Sequence, residues 1–324
     1  MPDFISPVSW GLGDLIVSLP AVQALIARGR PTWLVTRSDL QVGLAERISG
    51  LAGTVAEGDL PARLQPTDSY YNLRQHPIQT DYWWGSPEFE RDFGGFAIND
   101  ILALICRDLK IPAQYDRLVP LAYEPKPEFS ETVAFLPGSD GSYKCWPNEH
   151  WQALRSELRR LRIHCVIVGE PDKSSEVCEL VKAGMSWVPT PTLADALDVL
   201  SSSLAVIGVD TGLMHLSVQQ GKPTIALFRQ NPIYHRAYEN ATALTGSACA
   251  SECMRRSLSC TNNSLTELSG WKPKTWSCAA ADSRRCMAHI TPDSVLASLN
   301  DMIGTGGAGS AQHSMAGISH GASC

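Results

Sequence analysis

The chain has 324 residues, 44% of them apolar and 19% charged, with 27 basic against 33 acidic side chains for a net charge of −6. That length suffices for two domains, each with its own core, and the acidic balance argues against a nucleic-acid surface. The start, MPDFISPVSWGLGD, has no basic segment leading into an apolar one, and no apolar run reaches the roughly 18 residues of a membrane span. The expectation is a cytoplasmic protein that can still touch a membrane peripherally.

In chain order, FISPVSW (4–10) is a short apolar strand that ends at GLGD, and residues 15–29 carry apolar side chains at helical spacing up to Gly29. PTWLVT (31–36) is the next strand, so the chain opens as a parallel α/β unit. Residues 66–96, rich in aromatics, Pro and Gly, read as a loop-heavy excursion, and 98–111 as a helix. PLAYEPKPEFSE (120–131) has the composition of a linker, which divides the chain into domains 1–125 and 126–303. Residues 132–173 then give strand, glycine-bearing loop, helix, strand and loop. Helices follow at 174–184 and 192–203, a strand at 204–210, a short helix at 212–220 closed by Gly221, and a strand at 223–228. Small residues dominate 304–324, which reads as a disordered tail. Two such units, doubly wound and facing each other, place a ligand at the carboxyl ends of their strands.

The stretch VIGVDTGLMHLSVQQGKPTIALF (206–228) contains one Asp-Thr-Gly. Aspartic-protease chemistry needs two such aspartates sharing a proton, and this context is strand–turn–helix. A phosphate-binding turn fits better: Asp210 ends a buried strand, Thr211 and Gly212 open a helix with free N–H groups, and His215 adds a donor. Spacing alone equally allows Thr211 or Asp210 to be a helix cap and His215 a core histidine.

The same stretch resembles glycosyltransferase family 9, the heptosyltransferases, at Asp210, Thr211, Gly212, Leu213, Met214, His215, Gly221, Lys222 and Pro223. GLGDLIVSLPAVQAL, with Gly13, Asp14 and Pro20, is similar to that family's N-terminal Gly-Asp loop and helix. LPGSDGSYKCWPNEHWQAL is similar to its Lys-bearing loop, with Ser139, Lys144, Trp146 and Pro147. The resemblance implies an α/β glycosyltransferase-B fold of two Rossmann-like domains, with the donor on the C-terminal one and the acceptor on the N-terminal one. It implies an inverting transfer from a nucleotide-activated sugar, typically ADP-heptose, without a catalytic divalent metal. The acceptor would be a glycan such as lipopolysaccharide core, a protein or a small molecule.

That transfer needs a base for the acceptor hydroxyl and positive potential on the leaving diphosphate. Asp14, after Gly11 and Gly13, is the candidate base, or else only a cap of its helix. A helix N-terminus should press its pKa down. Lys144, with Ser139 beside it, is the candidate diphosphate cation, or else a solvated loop lysine. The Thr211–His215 turn is the second phosphate contact. Glu170, after the strand of VGEPDK, is a candidate ribose partner or an ordinary loop acid. Gly13, His76, Trp83 and Trp84 are assigned to the acceptor side, although the aromatic loop could equally pack on the core.

Five of the ten cysteines, Cys249, Cys253, Cys260, Cys278 and Cys286, crowd into one segment. Four of them could hold a structural iron or zinc. The segment is also similar to the autotransporter heptosyltransferase branch, in which four cysteines hold iron. Free buried thiols, or disulfides in another compartment, are the alternatives. Two further functions fit the same fold: a nucleotide-sugar epimerase, and a non-catalytic nucleotide-sugar-binding protein.

Overall fold

Two parallel sheets, of four and six strands, organise the chain, with strand orders β3-β2-β1-β4 and β10-β9-β8-β5-β6-β7. The structure is a computed structural model that describes residues 1–82, 87–139, 144–229, 235–246 and 285–309. The first half runs β1 (Asp3–Ser6), α1 (Leu12–Ile26), β2 (Thr32–Thr36), α2 (Asp39–Ala45), β3 (Gly53–Ala56), α3 (Leu60–Arg63), β4 (Ser69–Asn72), α4 (Pro77–Thr80), α5 (Pro87–Phe93) and α6 (Ile98–Asp108). The second runs β5 (Thr132–Leu136), α7 (Asn148–Arg160), β6 (His164–Val168), α8 (Ser175–Lys182), β7 (Trp187–Val188), α9 (Leu193–Ser202), β8 (Ala205–Val209), α10 (Gly212–Gln219), β9 (Thr224–Phe228) and β10 (Ala241–Thr245). Two helices close it, α11 (Arg285–Ala288) and α12 (Pro292–Gly309).

The central strands β5, β8 and β9 are buried at every position, the pattern of a parallel sheet covered on both faces. One continuous apolar core joins the two halves: Leu15 and Leu19 of α1, Ile101 of α6, Leu197 and Leu200 of α9 and Leu216 of α10 belong to it. The far face of the larger sheet packs Trp151 and Leu158 of α7 with Val295 and Leu299 of α12. The far face of the smaller sheet holds Phe4, Val35, Val55 and Leu60.

The Pro-rich connection lies against the C-terminal half. Gln219 Nε2 donates to the Val119 carbonyl (2.7 Å), Gln220 Oε1 accepts from Leu121 N–H (3.2 Å), Asp198 Oδ1 from Glu124 N–H (2.8 Å) and Ser202 Oγ from Lys126 N–H (2.8 Å). Asp198 Oδ2 also meets Arg47 Nη2, just past α2, at 3.5 Å, so one buried carboxylate ties both halves to the connection.

Two expectations change. The excursion at 66–96 contains β4, which pairs with β1, and the short helices α4 and α5. Residues 304–309, taken for tail, lie in α12; the rest of the tail, like Trp83, Trp84, Cys249, Cys253, Cys260 and Cys278, lies outside the described residues. The described ends of the cysteine segment meet: Gly246 sits so close to the backbone of Cys286 that a side chain there would clash with the Cys286 carbonyl.

Candidate active site

A cavity of about 600 Å³ lies between the halves, at the carboxyl ends of β1, β5, β6 and β8. Asp14, Ser139, Lys144, Glu170, Asp210, Thr211, Gly212 and His215 all line it, as does Gly13.

The N-termini of α1 and α10 meet at this cavity. A Cβ on Gly212 would fall 2.8 Å from Leu12 Cβ, and one on Gly13 would fall 3.2 Å from His215 Cδ2. Only glycines allow the two backbones to approach so closely. Gly11, extended at φ −72°, is the N-cap of α1, and its N–H donates to Asp14 Oδ2 at 2.9 Å. Asp14 therefore does cap its helix, while its carboxylate still lines the cavity. Burial pushes the Asp14 carboxyl above its ordinary value, and Asp210 nearby adds to this. The Gly11 hydrogen bond and the charges of His215 and Lys144 pull the other way without prevailing. The depressed pKa expected from the helix terminus alone is thus reversed, because desolvation outweighs it.

Thr211 is the extended N-cap of α10, yet its hydroxyl makes no capping hydrogen bond. Asp210 does not cap either: Oδ2 lies 3.0 Å from Lys144 Nζ and Oδ1 3.4 Å from His215 Nε2. The first-turn N–H groups of α10 thus have no side-chain cap from Thr211 or Asp210, and a helix start of this kind can attract an anion. Burial alone would raise the Asp210 carboxyl, but Lys144 and His215 outweigh it and hold Asp210 well below the usual carboxylate range. His215 is buried, and its Nδ1 has no hydrogen-bond partner among the described residues.

The loop that delivers Lys144 is fixed from behind. Trp146 is fully buried, stands edge-on to Trp151 at 4.9 Å between ring centroids, and donates Nε1–H to the Ile290 carbonyl at 2.8 Å. An indole buries 150–250 Å², a gross transfer gain of roughly 4–6 kcal/mol. Ser139 Oγ donates to the Asp210 carbonyl at 3.3 Å, joining the loops that follow β5 and β8.

Glu170 follows β6 after Gly169, which takes φ +135°. Glu170 Oε1 accepts from Thr190 N–H (2.9 Å) and Thr190 Oγ1 (3.3 Å), so this carboxylate is oriented by its neighbour strand's exit. His76 lies away from the cavity lining. It is buried at the start of α4, Nδ1 accepts from Ile78 N–H at 3.3 Å, and Nε2 faces Asp108 at 3.5 Å; it does not line the cavity. A histidine next to a proline at a helix start is a capping position, a signal overlooked in favour of the aromatic neighbours. Leu40, Gln79, Lys173 and Ser174 line the cavity without having been singled out in the sequence. Ser174 is the N-cap of α8, legible from the Ser-Ser-Glu that opens it. The others reach the cavity only through tertiary packing.

Facing parallel α/β layers with a ligand cleft across their strand ends define a glycosyltransferase-B fold. Within it, residues 117–263 match the model of glycosyltransferase family 9 (heptosyltransferase). The solved E. coli ADP-heptose lps heptosyltransferase II is similar to the chain at 15% identity and a TM-score of 0.63, over 95% of this chain and 100% of that one. E. coli heptosyltransferase WaaC with ADP-2-deoxy-2-fluoro heptose is similar at 15% identity and a TM-score of 0.60, over 93% and 99%. In sequence, lipopolysaccharide heptosyltransferase 1 of Escherichia coli K12 is 29% identical over 101 residues, 30% of this chain; the match spans about a third of that relative, 32% of its length.

Proposed function

We propose that the chain is an inverting glycosyltransferase that moves a sugar, heptose in the first instance, from a nucleoside diphosphate such as ADP-heptose to an acceptor hydroxyl. The carrying observation is one cavity in which a carboxylate with burial-raised proton affinity, Asp14, faces Lys144, His215 and the uncapped start of α10. Asp14 takes the acceptor hydroxyl proton as the acceptor oxygen bonds to the anomeric carbon. The bond from that carbon to the β-phosphate oxygen breaks, and the diphosphate leaves with the electron pair. Lys144 and the α10 N–H groups stabilise the developing charge, in the place a catalytic divalent metal would take. Attack from the face opposite the diphosphate inverts the anomeric carbon. Glu170 is set to receive the ribose hydroxyls. The sequence relative acts in lipopolysaccharide assembly by its name, so lipopolysaccharide core sugars are the first acceptors to screen, ahead of proteins and small molecules.

The proposal extends to a cytoplasmic reaction and to a structural iron or zinc on four of the five cysteines of 249–286, thiolates being suited to either metal. Only Cys286 of these is among the described residues, buried at the start of α11, and elemental analysis of the purified chain tests the metal. Among the described residues no helix is long and apolar enough to cross a membrane.

Asp14→Asn tests the mechanism. Transfer should fall by about 10²-fold or more, the usual contribution of a general base, while ADP affinity stays within about twofold. Transfer at the wild-type rate would remove Asp14 from the chemistry.

A further inference from the structure

The amino end of the larger sheet carries two features of opposite charge that the proposed reaction does not use. The first is the end of α7. Residues 155–164, RSELRRLRIH, gather Arg155, Arg159, Arg160 and Arg162 just before β6, in a chain whose net charge is −6. Arg159, Arg160, Arg162 and His164 are exposed, and Leu161 among them is 50% exposed. Glu157 pairs with Arg160 at 2.5 Å, whereas Arg155, Arg159 and Arg162 have no ion pair among the described residues. Arg162 takes φ +61°, with its N–H on the Arg159 carbonyl at 3.1 Å. Glycine fills such a left-handed position at lower cost, so local stability does not explain an arginine there.

The second feature is a cavity of about 340 Å³ beside β9, β10 and α12. Its lining holds the carboxylates of Glu239 and Asp301 and no cation, with Pro223 and Met302 as apolar wall. Asn240 lines it too. Its Nδ2 donates to the Val218 and Lys222 carbonyls at 3.0 and 2.9 Å, which fixes the amide, and its buried Oδ1 has no hydrogen-bond partner among the described residues. An acidic recess with an unmatched acceptor is completed by a cationic side chain that donates N–H groups. Pro223 and Asn240 precede β9 and β10 as Ile163 precedes β6, and these strands run parallel, so cavity and arginines share one end of the sheet. In the order β10-β9-β8-β5-β6 they stand three to four strand spacings apart, roughly 14–19 Å. That is too far for the arginines to fill their own cavity. A two-fold axis near the amino ends of β5 and β8 brings each arginine cluster to the other copy's cavity, and the contact is made twice.

We propose that this end of the larger sheet is an isologous interface with a second copy of the chain, in which Arg159, Leu161 and Arg162 of one copy meet the cavity lined by Glu239, Asn240 and Asp301 of the other. The cavity that holds Asp14 lies at the opposite ends of the strands and stays open in both copies. The inference does not rest on sugar transfer.

Sedimentation velocity of the full chain over a range of concentrations tests it. Wild type should form a dimer that added salt dissociates, because the contacts are charged and near the surface. Arg162→Glu and Glu239→Arg should each weaken the dimer at least about tenfold, since each sets like charges against one another. Mixing the two variants in equal amounts should restore it, because both contacts of the mixed pair again join opposite charges. Arg162→Gly should weaken the dimer as well, yet raise the melting temperature at high salt, as glycine relieves the left-handed backbone. Both positions are exposed, so the variants should fold. A wild type that stays monomeric at hundred-micromolar concentration, a dimer indifferent to both charge reversals, or a mixture no more associated than its components would overturn the proposal.

Discussion

Asp14 and Asp210 show two carboxylates of one cavity driven apart by their surroundings. Asp210 is matched by Lys144 and His215 and stays ionised; Asp14 is matched mainly by one backbone N–H, and burial raises its proton affinity. That difference is why Asp14 rather than Asp210 is the proposed base, since the carboxyl that holds a proton more readily is the one suited to take it from a sugar hydroxyl. The sign follows. A folded-state pKa above the unfolded one gives stability that is fully present below the ordinary carboxylate pKa and declines as pH rises through the raised value. Asp14→Asn removes that loss, so the variant should melt above wild type at pH 7, with the gap closing below about pH 4. A gap independent of pH would show that Asp14 is not destabilised by its charge. The acid limb of the transfer rate should likewise fall above the ordinary carboxylate range.

At the scale of elements, the β8–α10–β9 unit was legible because its signals are local. A fully apolar strand, a polar turn, a helix of eight residues and Gly221 at φ +71° follow one another in sequence. β4, β7 and β10 were not legible. They are two to five residues long with half-buried faces, and they exist because a long-range neighbour pairs with them. His76 is buried away from the cavity lining, which was not legible because composition says that a loop is aromatic but not which way it faces. Gly212 is the element-scale device least visible beforehand, since its partner, Leu12, is two hundred residues away in the chain. Helix propensity would favour alanine by up to about 1 kcal/mol, but a Cβ 2.8–2.9 Å from three Leu12 atoms should cost about 1–3 kcal/mol in strain. Gly212→Ala should therefore lower the melting temperature and weaken ADP binding, whereas Gly13→Ala, at 3.2 Å from an imidazole carbon, should be milder. Equal effects from the two variants would mean that the α1–α10 approach is not tight.

The whole molecule is held together by more than its linker. The shared apolar core runs across both halves, and Asp198 joins Arg47, Glu124 N–H and its own helix at the junction. The two-unit rhythm was legible in the sequence, but this core was not, because it needs faces of α1, α9 and α10 that are simply apolar in each helix taken alone. Asp198→Ala removes the acceptor of the Glu124 N–H and a partner from Arg47, for about 1–3 kcal/mol. Amide exchange at residues 119–126 should accelerate while β5 and β8 stay protected; unchanged exchange there would show that the connection is held without Asp198.

The central claim is that the larger half binds a nucleoside diphosphate through Lys144 and the start of α10. Calorimetric titration of ADP, UDP, GDP and dTDP into the wild-type chain, Lys144→Ala and His215→Ala tests it most directly. The account predicts binding of ADP in preference to the others, weakened about tenfold or more by Lys144→Ala, the loss of one charge-assisted contact. Failure of every diphosphate to bind, or equal affinity in wild type and both variants, would contradict it.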